Sequence, residues 1–204
     1  MSQNLDKIFY INLDKRNDRK DEIEKELTNY NLFNNSERFP AIYTQEQGCV
    51  GCSMSHLAVI KIAKERKYKQ ILILEDDFYF TVSKEEFENQ LTIFFDLNIS
   101  YDICMISYNL NNSTSTEYPF LLKVLDGQTA SGYIVHESFY DSLINIYEYA
   151  IPQLKETRQH WIYACDQIWK SLQPQSEWFA FNPRCGKQRP SFSDNAKSFV
   201  SYDC

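Results

Sequence analysis

The chain has 204 residues, of which 43% are hydrophobic and 24% charged, and a formal net charge of -7. These values suit one globular domain over residues 1–204 with a full core. The acidic balance argues against nucleic acid or an anionic membrane as the main partner, and no stretch approaches the length of a membrane span. Met1 to Asp6 lacks an apolar signal-peptide core, and Ser201-Tyr202-Asp203-Cys204 is not a retention signal, so a cytoplasmic location is expected. The six cysteines then read as reduced. Cys49 and Cys52 form a lone C-x-x-C followed by His56, while the other cysteines are scattered. Neither a zinc site nor a redox pair is expected from that spacing.

In chain order, Lys7 to Leu13 reads as a first strand and Asn17 to Tyr30 as an exposed helix resting on Ile23 and Leu27. Arg38 to Tyr43 reads as a second strand, Gln45 to Gly51 as a loop, and Ser53 to Arg66 as a helix. Ile71 to Leu74 is a continuous apolar run, the pattern of a strand buried on both faces. The S-x-x-E capping box Ser83 to Glu86 starts a helix to about Phe95. Asp102 to Ser107 predicts a buried strand, Asn109 to Thr116 a polar loop, Phe120 to Val124 and Ala130 to Val135 two more strands. Glu137 to Tyr149 predicts a helix stopped by Pro152, Trp161 to Leu172 a last helix and Trp178 to Phe181 a last strand. Beyond Pro183 the chain reads as irregular. The alternation implies an α/β sandwich around a mostly parallel sheet.

The acids Glu75-Asp76-Asp77 stand where the Ile71 strand ends. Ligands of open α/β sheets bind at the carboxyl ends of strands, and three adjacent carboxylates repel one another unless a positive charge sits among them. A divalent cation with hard oxygen ligands, holding a phosphate-bearing substrate, is the expected occupant. Four further regions can converge there. Asn12 to Arg19 leaves the first strand, with Arg16 and Arg19 one helical turn apart and able to reach a diphosphate or a base. Gly48 to His56 offers two glycines for close backbone approach and a helix start that favours phosphate, with Ser55 and His56 in its first turn. Gly132 interrupts a strand beside Tyr133, a mark of close approach by backbone or ligand. Asp166 is an acid among aromatic neighbours, and Gln188, Ser191, Ser193 and Asp194 follow in the tail.

In order, these segments are Ile11-Asn12-Leu13 with two arginines, Phe39-Pro40-Ala41, Gly51-Cys52-x-x-Ser55-His56, Ile73-Leu74-Glu75-Asp76-Asp77, Gly132-Tyr133, Asp166, and Pro183 followed by Gln188 and Ser193-Asp194. Over residues 7 to 194 the chain resembles glycosyltransferase family 25, which includes bacterial lipopolysaccharide-modifying transferases and collagen galactosyltransferases. The resemblance implies a GT-A-type, Rossmann-like fold and metal-dependent, inverting transfer from a UDP-sugar (UDP-Gal, UDP-Glc or UDP-GlcNAc) to a hydroxyl of a glycan or glycoprotein. It implies Mn2+ or Mg2+ at Glu75, Asp77 and Asp194. Asn12, Leu13, Arg16, Arg19, Ser55, His56, Asp76, Gly132, Tyr133 and Gln188 would bind the donor, and Asp166 would be the general base. Two alternatives from other classes are a metal-dependent nucleotidyltransferase and a non-catalytic nucleotide-sugar-binding relic of the fold.

Overall fold

The computed structural model describes residues 4–193 and 198–201. Its strands are β1 (Lys7–Asn12), β2 (Ser36–Pro40), β3 (Gln70–Glu75), β4 (Phe78–Phe80), β5 (Ile103–Met105), β6 (Asn109–Ser115), β7 (Leu121–Gln128), β8 (Gly132–His136), β9 (Trp178–Phe181), β10 (Gly186–Gln188), β11 (Ser191–Ser193) and β12 (Ser198–Val200). Eight form one sheet in the order β2-β1-β3-β8-β5-β9-β7-β6, while β4 pairs with β10 and β11 with β12. The helices are α1 (Asn17–Asn29), α2 (Gly48–Glu65), α3 (Lys84–Asp96), α4 (Tyr140–Thr157), α5 (His160–Tyr163) and α6 (Cys165–Ile168).

The period of two along each central strand sorts side chains onto two cores. Ile8, Tyr10, Leu72, Leu74, Cys104 and Ile134 pack with Ile23 and Leu27 of α1 and Phe87 and Phe94 of α3. Their alternates Phe9, Ile11, Ile71, Ile73, Met105 and Tyr133 pack with Val59 and Ile60 of α2 and Leu143 and Tyr147 of α4. Burial on both faces is why the four residues Ile71 to Leu74 are all apolar between Gln70 and Glu75.

The sheet is mixed, not mostly parallel. β2–β1, β1–β3 and β5–β9 are parallel, whereas β8 runs antiparallel to both β3 and β5, and β7 antiparallel to β9 and β6. A continuous apolar run reports burial on both faces and carries no information on direction. The polar segment Asn109 to Thr116, expected to be a loop, contains the edge strand β6, held by β7 through a bulged register and largely exposed. Pro152 does not stop α4, which continues to Thr157 and ends at Arg158 with φ 60°. Buried Leu143, Tyr147, Ala150 and Leu154 carry the helix past the single hydrogen bond that the exposed proline removes.

The last predicted helix is broken. Ala164 is extended (φ -60°, ψ 152°), separating α5 from α6. The Cys165 amide there donates to Ser53 Oγ of α2 at 3.1 Å, a buried tertiary bond that replaces a helical one. Past Pro183 the chain forms β10, whose register sets Gln188 opposite Phe78 and so beside Asp77.

Candidate active site

β1 and β3 are parallel, with Ile11 opposite Glu75, so their carboxyl ends open at one edge. β8 begins there, and the Glu75 amide donates to Ser131 O at 2.9 Å. Two cavities meet at this edge. The first, about 400 Å³, is lined by Leu13, Arg16, Arg19, Tyr43, Asp77 and Gln188 among others. The second, about 790 Å³, is lined by residues including Gln128, Thr129, Trp161, Cys165 and Asp166. Glu46, Gly48, Cys52, Glu75 and Gln188 border both.

The three acids are held differently. Asp76 is committed to the protein: Asn12 Nδ2 donates to Oδ2 at 2.8 Å and Arg19 Nη1 to Oδ1 at 3.0 Å. Arg19 Nη1 also reaches Asp77 Oδ2 at 3.2 Å. Glu75 and Asp77 share a donor, since the Gln188 amide lies 3.4 Å from Glu75 Oε2 and 3.5 Å from Asp77 Oδ1. Burial, then the charge of Glu75, pushes Asp77 up to about 7, with Arg19 opposing. Burial also raises Asp76 against the pull of Arg19. Glu75 stays below the usual carboxylate range despite burial, because His56 Nε2 sits 3.1 Å from its Oε1 and the Cys52 thiol donates to the same oxygen at 3.3 Å. Two convergent carboxylates with excess negative charge are a donor set that fits a hard divalent cation.

Behind the acids, α2 supplies the support. The helix begins at Gly48, so Ser55 and His56 lie two turns inside it and not in its first turn. Ser55 Oγ accepts from the Ile42 amide at 2.8 Å and donates to Gly51 O at 2.7 Å, pinning the 41–44 loop to α2. Gly51 is required by that packing: a Cβ there would sit 2.2 Å from the Ile42 carbonyl oxygen. His56 is fully buried, with Nδ1 2.9 Å from the Tyr133 hydroxyl. Its imidazole is raised, burial opposing, by Cys165 and by Glu75.

Several sequence expectations are thus redirected. His56 and Tyr133 border neither cavity but form a buried chain that orients Glu75. Gly132 also lies away from both, and the Phe78 ring fills the space a Cβ would take. Asn12 is buried and orients Asp76 and the Arg16 carbonyl, so it too touches no cavity. Leu13, Arg16, Arg19, Ser55, Asp76 and Gln188 do border the first cavity, with Arg16 also clamping Asp18 at 2.7 Å. Asp194 lies outside the described residues.

Asp166 borders the second cavity, its Oδ2 accepting from the Thr129 amide at 3.2 Å and Gln167 Nε2 at 3.3 Å. Burial raises its carboxyl. Thr129 has φ 86°, a conformation β-branched residues rarely adopt and one that marks functional sites. The cysteines are less scattered than their spacing implies: Cys52, His56 and Cys165 bring their ligand atoms within 4.8 Å of one another. That trio could take a borderline-soft ion such as zinc, while Glu75 and Asp77 suit manganese or magnesium. Sequence reasoning misses Tyr43, Trp161 and Cys165 as site residues, because only the tertiary fold joins their segments.

This geometry has relatives. A glycosyltransferase involved in glycosylation of the major capsid of PBCV-1 superposes with a TM-score of 0.58 at 12% identity, covering 94% of this chain and 95% of that one. A mannose-1-phosphate geranyltransferase from Thermus thermophilus gives 0.50 at 5% identity, covering 92% and 75%. At such identities the likeness concerns the fold, a GT-A-like mixed sheet flanked by helices. No curated protein matches the sequence. The model of glycosyltransferase family 25 (LPS biosynthesis protein) matches residues 46–153, more than half of the chain. The chain belongs to that family and is a glycosyltransferase. Among the described residues, no helix is long and apolar enough to cross a membrane.

Proposed function

We propose that the protein transfers a hexose or N-acetylhexosamine from a UDP-sugar to a hydroxyl of a glycan or glycoprotein, with inversion and with Mn2+ or Mg2+ held by Glu75 and Asp77. The observation that carries this reading is the pair of cavities sharing Glu75 and Gln188, with Asp77 bordering the first and Asp166 the second. The donor can occupy one cavity and the acceptor the other, with Glu75 and Gln188 bordering both.

In the first cavity, Tyr43 offers a largely exposed ring with Lys15 Nζ 4.6 Å from its centroid. That ring can stack on a nucleobase while Arg16 meets the diphosphate. Arg19 is engaged with Asp76 and Asp77, so its role is to hold these acids in place. His56 keeps Glu75 ionised. The Gln188 amide aligns the two carboxylates. A cation held by Glu75 and Asp77 would supply positive charge to the diphosphate leaving group. On the other side Asp166 takes the acceptor hydroxyl proton. Burial brings its basicity nearer to neutral pH, where a general base works best.

The test is UDP release from a panel of UDP-sugars, with and without manganese and with candidate glycan acceptors, beside Asp77→Ala. Metal-dependent release from one donor, lost in the variant, is expected. Undiminished turnover in Asp77→Ala overturns the metal assignment. Pyrophosphate release from a nucleoside triphosphate, in place of UDP release, would reassign the site to nucleotidyl transfer.

A further inference from the structure

We propose that the second cavity is a subsite for a neutral saccharide, with Trp161 as the platform on which the apolar face of a pyranose ring stacks. The inference deepens the transferase reading and rests on it, because Asp166 in the same cavity is the base of that reading.

Trp161 is 62% exposed, whereas Trp169 and Trp178 are fully buried core residues. An exposed indole bordering a cavity is an apolar surface left in water, and it gains by being covered. Its local fold keeps it there. α4 ends at the left-handed Arg158, and the extended Ala164 stops the next turn, so α5 is a four-residue segment set apart from the core helices. The ring of His160 meets the indole at 5.1 Å and 80°.

The remaining wall is polar in a way that suits hydroxyl groups. Asn109, Gln128 and Gln167 present amides, each both donor and acceptor, and Asp166 adds a carboxylate. A sugar ring has the matching character, an apolar CH face and a rim of hydroxyls that also donate and accept. The nearby cations already have partners. Arg158 Nη2 lies 3.6 Å from Glu46 Oε2, and Lys170 Nζ is 2.7 Å from Gln128 Oε1 and 3.4 Å from Asp126 Oδ1. Among the described residues the site therefore offers no uncompensated lysine or arginine charge to an anionic sugar.

Saturation-transfer NMR on the full chain, with UDP and diamagnetic Mg2+ present, tests this with methyl glycosides of glucose, galactose and N-acetylglucosamine and with methyl glucuronide. At least one neutral glycoside should receive saturation through its ring protons, and the glucuronide none. Trp161→Ala should bind that glycoside about tenfold more weakly, and Trp161→Phe nearly as well as the parent. The melting temperature should be unchanged, because the side chain is exposed. Glycoside binding equal in Trp161→Ala and the parent overturns the inference. So does the absence of transfer to any neutral glycoside while UDP still raises the melting temperature. Loss of the UDP response itself would instead overturn the transferase reading beneath it.

Discussion

The two cavities at the sheet edge share five residues and differ in the chemistry of their remaining walls. The first takes its charged wall from two parallel strands that end side by side, through Leu13, Lys15, Arg16 and Arg19 after β1 and Glu75 to Asp77 at the end of β3, and the rest from the segment between Ala41 and Ser55 and from Gln188. The second takes its own walls from Asn109, Gln128 to Ala130, Arg158, His160, Trp161 and Ala164 to Gln167, segments far apart along the chain. The first is a charged network with hydrogen bonds to each acid; the second is amide-rich with an exposed indole. Under the proposed function the difference becomes a division of labour, with donor and metal assigned to the first cavity and acceptor to the second.

The sharpest way to break that division is Asp77→Ala. Losing a carboxylate that positions transition-state charge should lower kcat/KM by about 10³ and remove manganese-dependent UDP binding. Asp166→Asn should lower kcat by about 10²–10⁴, the range for a lost general base, while UDP affinity measured by calorimetry stays at the parent value. Weakened UDP binding in Asp166→Asn would erase the boundary between the cavities.

A stability measurement sharpens the comparison. Asp77 is pushed up to about 7 from an ordinary 3.8. Between those values the folded state holds the proton and the unfolded state does not, so stability falls as pH rises through that window. Asp77→Asn should therefore raise the melting temperature of the metal-free protein at pH 8, with the gain shrinking toward pH 4. A gain independent of pH contradicts the assigned shift. Gly51→Ala should destabilise by about 1–3 kcal/mol through overpacking, since the new Cβ would lie 2.2 Å from the Ile42 carbonyl oxygen. Because Ile42 and Tyr43 border the first cavity, UDP affinity should fall with it. The smallest effect is expected at the exposed pair Lys61–Glu148, 2.6 Å apart and joining α2 to α4. Lys61→Ala should change stability by less than about 1 kcal/mol and leave turnover unaltered.

The same contrast explains what can be read without the structure. Ile71 to Leu74 with its trailing acids announces a buried strand ending at a ligand edge, because burial and charge are local properties. Strand direction is not local, so the antiparallel insertion of β8 is invisible there. Ser55 and His56 can be picked out, yet their roles cannot: one pins a loop, and the other joins Tyr133 to Glu75. Gly132 signals close approach, and the Phe78 ring is what approaches it. The break at Ala164 depends on Ser53, 112 residues from its partner Cys165, and no helical periodicity contains that bond. Thr129 carries no sequence signal of its strain, a φ of 86° in the segment between β7 and β8.

The most direct measurement is calorimetric titration of UDP, with Mn2+ present, into the parent chain, Asp77→Ala and Asp166→Asn. The division of the two cavities predicts metal-dependent binding to the parent, the same affinity in Asp166→Asn and none in Asp77→Ala. Equal binding to all three, or equal loss in both variants, would contradict it.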